Sequence, residues 1–95
     1  MSKVRYSRKT DDGQVSATPA FLHTVSIAPT TATPTTGLLS VYDNAAETGT
    51  VVFSTWVFAT DPAKTITLDV QCDNGIYVGY DATLANVSVT VGYRP

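Results

Sequence analysis

Ninety-five residues, 43% of them hydrophobic and 15% charged, leave room for one small globular domain and exclude a second, since a chain this short buries only about 64% of its surface on folding. Sixteen threonines and twelve valines against a single glutamate exclude an all-helical fold, because β-branched side chains suit a pleated strand and are stiff in a helix. No apolar run approaches the ~18 residues of a helical membrane span, and membrane insertion is not expected. The formal net charge of −2 divides unevenly: Lys3, Arg5, Arg8 and Lys9 give the first ten residues +4, and the rest of the chain carries −6.

Val4 and Tyr6 alternate with charged neighbours, which suits an extended arm or an added edge strand. Met1 to Gly13 lacks an apolar core of the kind a secretory signal needs, so synthesis in a cytoplasm is expected. Asp12-Gly13 breaks the pattern. From Phe21 to Ala28, Phe21, His23, Val25 and Ile27 alternate with Leu22, Thr24, Ser26 and Ala28 between Pro19 and Pro29, which predicts a strand. The stretch PTTATPTT, 29–36, reads as an extended surface connection. Gly37 to Tyr42 and Thr50 to Phe58 read as paired strands, because the intervening loop ends on Gly49. Asp61-Pro62 turns the chain into Lys64 to Val70, where Ile66, Leu68 and Val70 face one way and Thr65, Thr67 and Asp69 the other. Asp73-Asn74-Gly75 predicts a hairpin turn into Ile76 to Tyr80, and Val87 to Tyr93 alternates almost perfectly. The sum is an all-β chain: a small antiparallel β-sandwich or barrel of about six to seven short strands, with an extended basic N-terminal arm at 1–18 and one domain at 19–95.

The residue chemistry speaks against catalysis. A hydrolytic triad needs an imidazole, and His23 is the only one, set in an apolar strand where a core or interface role is expected. One cysteine and one histidine cannot close a zinc site, and Asp73-Asn74-Gly75 lacks the later ligands of a calcium loop. Cys72 stands alone, so no intrachain disulfide can form. The glycines are scattered singly, with no phosphate cradle. No cofactor and no metal is expected. Four cations on an otherwise acidic chain also disfavour nucleic acid as a partner. Trp56, Phe58, Tyr77 and Tyr80 lie in apolar strands and read first as core, with a sugar-stacking surface as the alternative.

The segments LLSVYDNAAETGTVVF (38–53), DNGIYVGYD (73–81) and ANVSVTVGY (85–93) together resemble small all-β virion proteins of tailed bacteriophages. In those proteins a VYDN-type segment, a GT-V-F segment, a turn-glycine-IYV segment and a final alternating strand recur. The resemblance spans Gly37 to Tyr93 and implies a structural virion protein, foremost a capsid cement or decoration protein on the capsid surface. It brings no catalytic or ligand residues. The expected partners are the major capsid protein or other virion proteins, with homo-oligomers formed as well. An extended charged arm can pair its main chain with a partner while its cations meet acidic groups there. The expected contacts are therefore Lys3, Val4, Arg5, Tyr6, Arg8 and Lys9, with His23 and Trp56. On this view the arm could be deleted without unfolding the body. The alternatives are a carbohydrate-binding host-attachment module stacking on Trp56, Tyr77 or Tyr80, and a head–tail or tail adaptor.

Overall fold

The computed structural model describes residues 3–31, 33–60 and 63–95. Every regular element among them is a strand: β1 (Arg5–Lys9), β2 (Gly13–Ser16), β3 (Ala20–Pro29), β4 (Gly37–Asp43), β5 (Thr50–Val57), β6 (Lys64–Cys72), β7 (Ile76–Tyr80) and β8 (Val87–Arg94). They form two four-stranded antiparallel sheets, A in the order β1-β8-β3-β6 and B in the order β2-β7-β4-β5. Only β4 and β5 are consecutive in one sheet; every other connection crosses between sheets. That interleaving is the strand order of an eight-stranded jelly roll.

The all-β sandwich is as expected, and the strand count is eight rather than six or seven. The added strands come from the segment expected to leave the body as an arm. Arg5–Lys9 pairs with β8 from Arg5↔Tyr93 to Lys9↔Val89, and Gly13–Ser16 pairs with β7. The physical reason is edge satisfaction. Without β1, the uncharged run from Val87 to Tyr93 would end sheet A with unpaired backbone groups.

The core follows the alternation. Leu22, Val25 and Ile27 of β3, Leu39 and Val41 of β4, Ile76 and Val78 of β7, and Val87, Val89 and Val91 of β8 are buried between the sheets. Edge strand β6 keeps Ile66, Leu68 and Val70 half-buried and Thr65, Thr67 and Asp69 exposed, as predicted. In β3 the expected single alternation fails. Leu22 pairs with Val70 and Tyr93, but Thr24 pairs with Thr67 and Gly92, so a bulge at His23 shifts the inward phase by one residue. Phe21 and His23 therefore do not share the inward face of Val25 and Ile27.

The turn at Asp73-Asn74-Gly75 forms, with Gly75 at φ +119°, yet it is not a hairpin turn. It carries the chain from β6 in sheet A to β7 in sheet B. The β4–β5 hairpin is as expected, closed by Asn44 Nδ2 donating to Thr48 O at 3.0 Å and by Gly49 at φ +88°. The turn expected at Asp61-Pro62 and the Ala32 position of the threonine-rich connection lie outside the described residues. The rest of that connection is tied down where Thr30 N donates to Asn86 O and Thr35 N to Ala85 O.

Two side chains fasten the ends of the sheets. Tyr80 is 6% exposed, and its hydroxyl lies 2.9 Å from Val87 O and 3.1 Å from Lys9 O, tying sheet B to both β8 and β1. Burial first, and then the Asp11 charge, pushes this phenol up to about 12. Replacing Tyr80 by Phe is expected to cost about 1–2 kcal/mol, read as a Tm lowered by roughly 5–15 °C. Asp81 accepts from Leu38 N through Oδ2 at 2.8 Å, and from Thr83 N and Leu84 N through Oδ1 at 2.9 Å each. These donors, Leu38 N foremost, hold its carboxyl below the usual carboxylate range. The lowered value means that Asp81 stabilises the fold fully above its unfolded pKa of about 4 and loses that contribution as pH falls through the folded value. Urea midpoints between about pH 2 and pH 6 should therefore fall more steeply with acid in the wild type than in Asp81→Asn.

Candidate surface on the outer face of sheet A

The outward positions of sheet A form two cross-strand rows. One runs Tyr6, Gly92, Thr24, Thr67; the next runs Arg8, Thr90, Ser26, Thr65. Ser26 and Thr65 lie within hydrogen-bond distance through their hydroxyls, at 3.3 Å. Gly92 has a specific use here. A Cβ at that position would stand 2.5 Å from Thr24 Oγ1 and 3.1 Å from Tyr6 Cε1, so the bare backbone lets the Tyr6 ring lie down across β8. Tyr6 nevertheless remains 70% exposed, the most open of the large hydrophobic side chains. The result is a hydroxyl-lined face with one flat aromatic ring and, two residues along the same side of β1, the exposed Arg8.

Toward the other end of the face the bulge places His23 outward. Its Nδ1 lies 2.6 Å from Asp69 Oδ1, in an ion pair when the imidazole is protonated. Asp69 adopts φ +53°, a left-handed conformation uncommon outside glycine, so the pair sits where the sheet departs from regular geometry. The bulge is thus what converts an expected core histidine into a half-exposed surface group. Beyond it, the Arg94 guanidinium lies 5.8 Å from the Phe21 ring centre, and these two residues line an open depression of about 370 Å³ with Pro19, Gln71 and Pro95.

The eight expected contacts do not form one surface. Tyr6, Arg8 and His23 share the outer face of sheet A, with His23 toward its other end. Arg5 and Lys9 alternate with them along β1; Arg5 is exposed and Lys9 half-buried, its side chain beside Gly13. Lys3 is exposed and Val4 half-buried just ahead of the strand. Trp56 belongs to β5, at the opposite lateral edge of sheet B. Sequence reasoning assigned the cations to this region but missed Thr24, Ser26, Thr65, Thr67 and Thr90 as a shared hydroxyl face. The period-2 alternation marked each of them as outward, and only the strand order makes them neighbours.

The aromatic groups also sort differently from expectation. Tyr80 is core and is closed to stacking by its burial and its two hydroxyl contacts. Tyr77 is half-buried and meets Tyr42 edge-on, with ring centres 6.5 Å apart. Trp56 and Phe58, expected in the core, are instead more than half exposed, because β5 is an edge strand and these positions point away from the opposing sheet. The outer side of sheet B is acidic at its β2 end. Glu47 reaches over Gly79, where a Cβ would be 2.9 Å from its Oε1. Its carboxyl is raised by desolvation and by the neighbouring Asp12. Cys72 is buried, and burial foremost pushes its thiol up to about 11, which leaves it protonated and unreactive at neutral pH. Among the described residues no group of three His, Cys, Asp or Glu side chains is placed to hold a metal ion. Comparison with known protein families and with curated proteins finds no match for this chain.

Proposed function

We propose that this chain is a structural virion protein, a capsid cement protein that binds the shell built by the major capsid protein and works by adhesion rather than by chemistry. The observation that carries the reading is the exposed Tyr6 ring lying beside Arg8 on a hydroxyl-lined sheet face. Tyrosine and arginine are the side chains that most often dominate protein–protein contacts. Here both stand on a paired strand, so little conformational freedom is lost when a partner docks. The threonine and serine hydroxyls supply donors and acceptors around them, and Arg8 suits an acidic patch on the partner. A jelly-roll fold alone selects no function; the resemblance of residues 37–93 to phage virion proteins supplies the partner.

The reading is tested on particles of the phage whose genome encodes the chain. Cementing requires a copy number comparable to that of the major shell protein and a location on the head; a few copies, or a place solely in the tail, would overturn it. Added back to stripped particles, Tyr6→Ala and Arg8→Glu should each bind roughly 10- to 100-fold more weakly than wild type, the loss of a contact worth about 1.5–3 kcal/mol.

A further inference from the structure

Three of the four large hydrophobic side chains exposed among the described residues, Val51 (45%), Trp56 (55%) and Phe58 (52%), lie on β5 or directly after it. β5 is also a free sheet edge. The other three edges are each blunted. β1 carries Arg5, Arg8 and Lys9 within five residues, β2 is four residues long with a register shift, and β6 holds the irregularity at Asp69. By contrast, β5 reads TVVFSTWV: eight residues with no charge, proline or glycine. Its one register shift lies near Val52, leaving Phe53–Val57 regular. Its guard is Lys64 of β6, whose Nζ lies 3.2 Å from Trp56 O and 3.5 Å from Thr55 Oγ1. A long uncharged apolar edge is a template for another strand.

We propose that β5 is a self-association surface, and that its occupant is the β5 edge of a second copy, joined antiparallel about a two-fold axis so that two B sheets become one eight-stranded sheet. Charge favours the copy. β5 itself carries no ionised side chain for a charged segment to meet, and the cation beside it, Lys64, is turned onto its own Trp56 O, so the two β5 strands bring no like charges of their own together on an otherwise acidic molecule. Area sets the strength. At roughly 200 Å² for a whole aromatic side chain, the exposed parts of Trp56 and Phe58 from two copies amount to about 400 Å². Adding a strand edge about 20 Å long leaves the contact below the ~1,200 Å² of standard interfaces, among the weak and transient ones, so the dimer dissociates on dilution.

The symmetry has a consequence for the outer face of sheet A. An antiparallel pairing of identical edges places the two-fold axis perpendicular to the sheet, so both copies turn the same face to the same side. A dimer of this kind presents two Tyr6–Arg8 faces to one surface, and their linked binding gains avidity without a new contact. Self-pairing uses neither Tyr6, Arg8 nor the hydroxyl row that carry the proposed shell contact, and it claims Trp56 for the dimer instead, so it stands or falls separately from the virion reading.

Sedimentation of the purified chain from about 1 μM to about 1 mM should show a reversible monomer–dimer equilibrium. Trp56→Lys and Ser54→Lys, on the same exposed strand, should each weaken it at least about tenfold while thermal melts confirm that the variants fold. Tyr6→Lys should leave it unchanged, and Lys64→Met, which removes the guard, should tighten it. A monomer throughout, a dimer indifferent to both β5 lysines, loss on Tyr6→Lys, or no tightening on Lys64→Met would overturn the proposal. If the chain is monomeric alone yet Trp56→Lys abolishes binding to particles, the edge takes a strand of the shell protein, and self-pairing is likewise overturned.

Discussion

Removal of residues 1–10 is expected to make the chain aggregate. β1 pairs along β8 from Tyr93 to Val89, and it buries little apolar surface of its own, since Arg5, Tyr6 and Arg8 are exposed. Its larger contribution is cover. With β1 gone, Val87 to Tyr93 becomes the edge of sheet A: a flat strand of alternating valines with no charge before Arg94, the kind that pairs with its own copies. Tyr80 also loses Lys9 O as one of its two hydroxyl partners. The expected result is light scattering and a void-volume peak in gel filtration at concentrations where the whole chain runs as monomer and dimer alone. If the truncated chain instead stays monodisperse with an unchanged Tm, the segment is a strap outside the fold, as its composition first suggested. Full-length chains carrying Arg5, Arg8 and Lys9 replaced by Ser keep the ladder and lose only the charge, so they separate pairing from electrostatic blunting.

Gly75→Ala is expected to be severely damaging for so small a substitution, at about 3–5 kcal/mol. Two costs combine. The residue sits at φ +119°, a conformation that side chains rarely adopt. A Cβ there would stand 2.5 Å from Ser16 O and 3.1 Å from Asn44 O, both backbone atoms. The end of β2, the β4–β5 loop and the β6–β7 turn converge at this point, and none can retreat without opening a ladder. Against a net stability of about 5–15 kcal/mol, the loss should lower Tm by roughly 12 °C or more. Gly49→Ala is the internal comparison. It too has a positive φ, of +88°, but the nearest atom to its Cβ is the side-chain Nδ2 of Asn44 at 3.1 Å, with no backbone atom as close, so the conformational cost of about 1 kcal/mol dominates. Equal losses at the two glycines would mean that the close approach at Gly75 does not govern its cost.

These two cases show what kind of information the chain carries locally. Asp73-Asn74-Gly75 announces a turn because its chemistry tolerates a positive φ, and that turn forms. Nothing within those three residues says whether the next strand joins the same sheet or the opposite one. The same holds for the first ten residues. Their alternation and charge signal an extended segment, and an extended segment can pair with its own chain or with another.

The alternation of Val87 to Tyr93 and of Ile66, Leu68 and Val70 was legible because side chains on a strand point to opposite faces with a period of two, whatever the strand's partner. His23 was misplaced for the complementary reason. A bulge is a disagreement in count between neighbouring strands, here Leu22 to Thr24 against Val70 to Thr67 on one side and Tyr93 to Gly92 on the other. It has no signature in one strand read alone.

By itself, then, the sequence determined the all-β class, nearly every strand from β3 to β8 within a residue or two, the β4–β5 hairpin and the inward valines of β8, since each depends on local propensity and period-2 alternation. The tertiary structure decided the interleaved order of the two sheets, the folding of β1 and β2 into their edges, the outward His23, the exposure of Trp56 and Phe58, and the assembly of Tyr6, Arg8 and five hydroxyl side chains into one face. All of these depend on which strands become neighbours. That choice is made by burying both sheets' apolar faces together while satisfying their edges, a property of the whole chain that no segment carries alone.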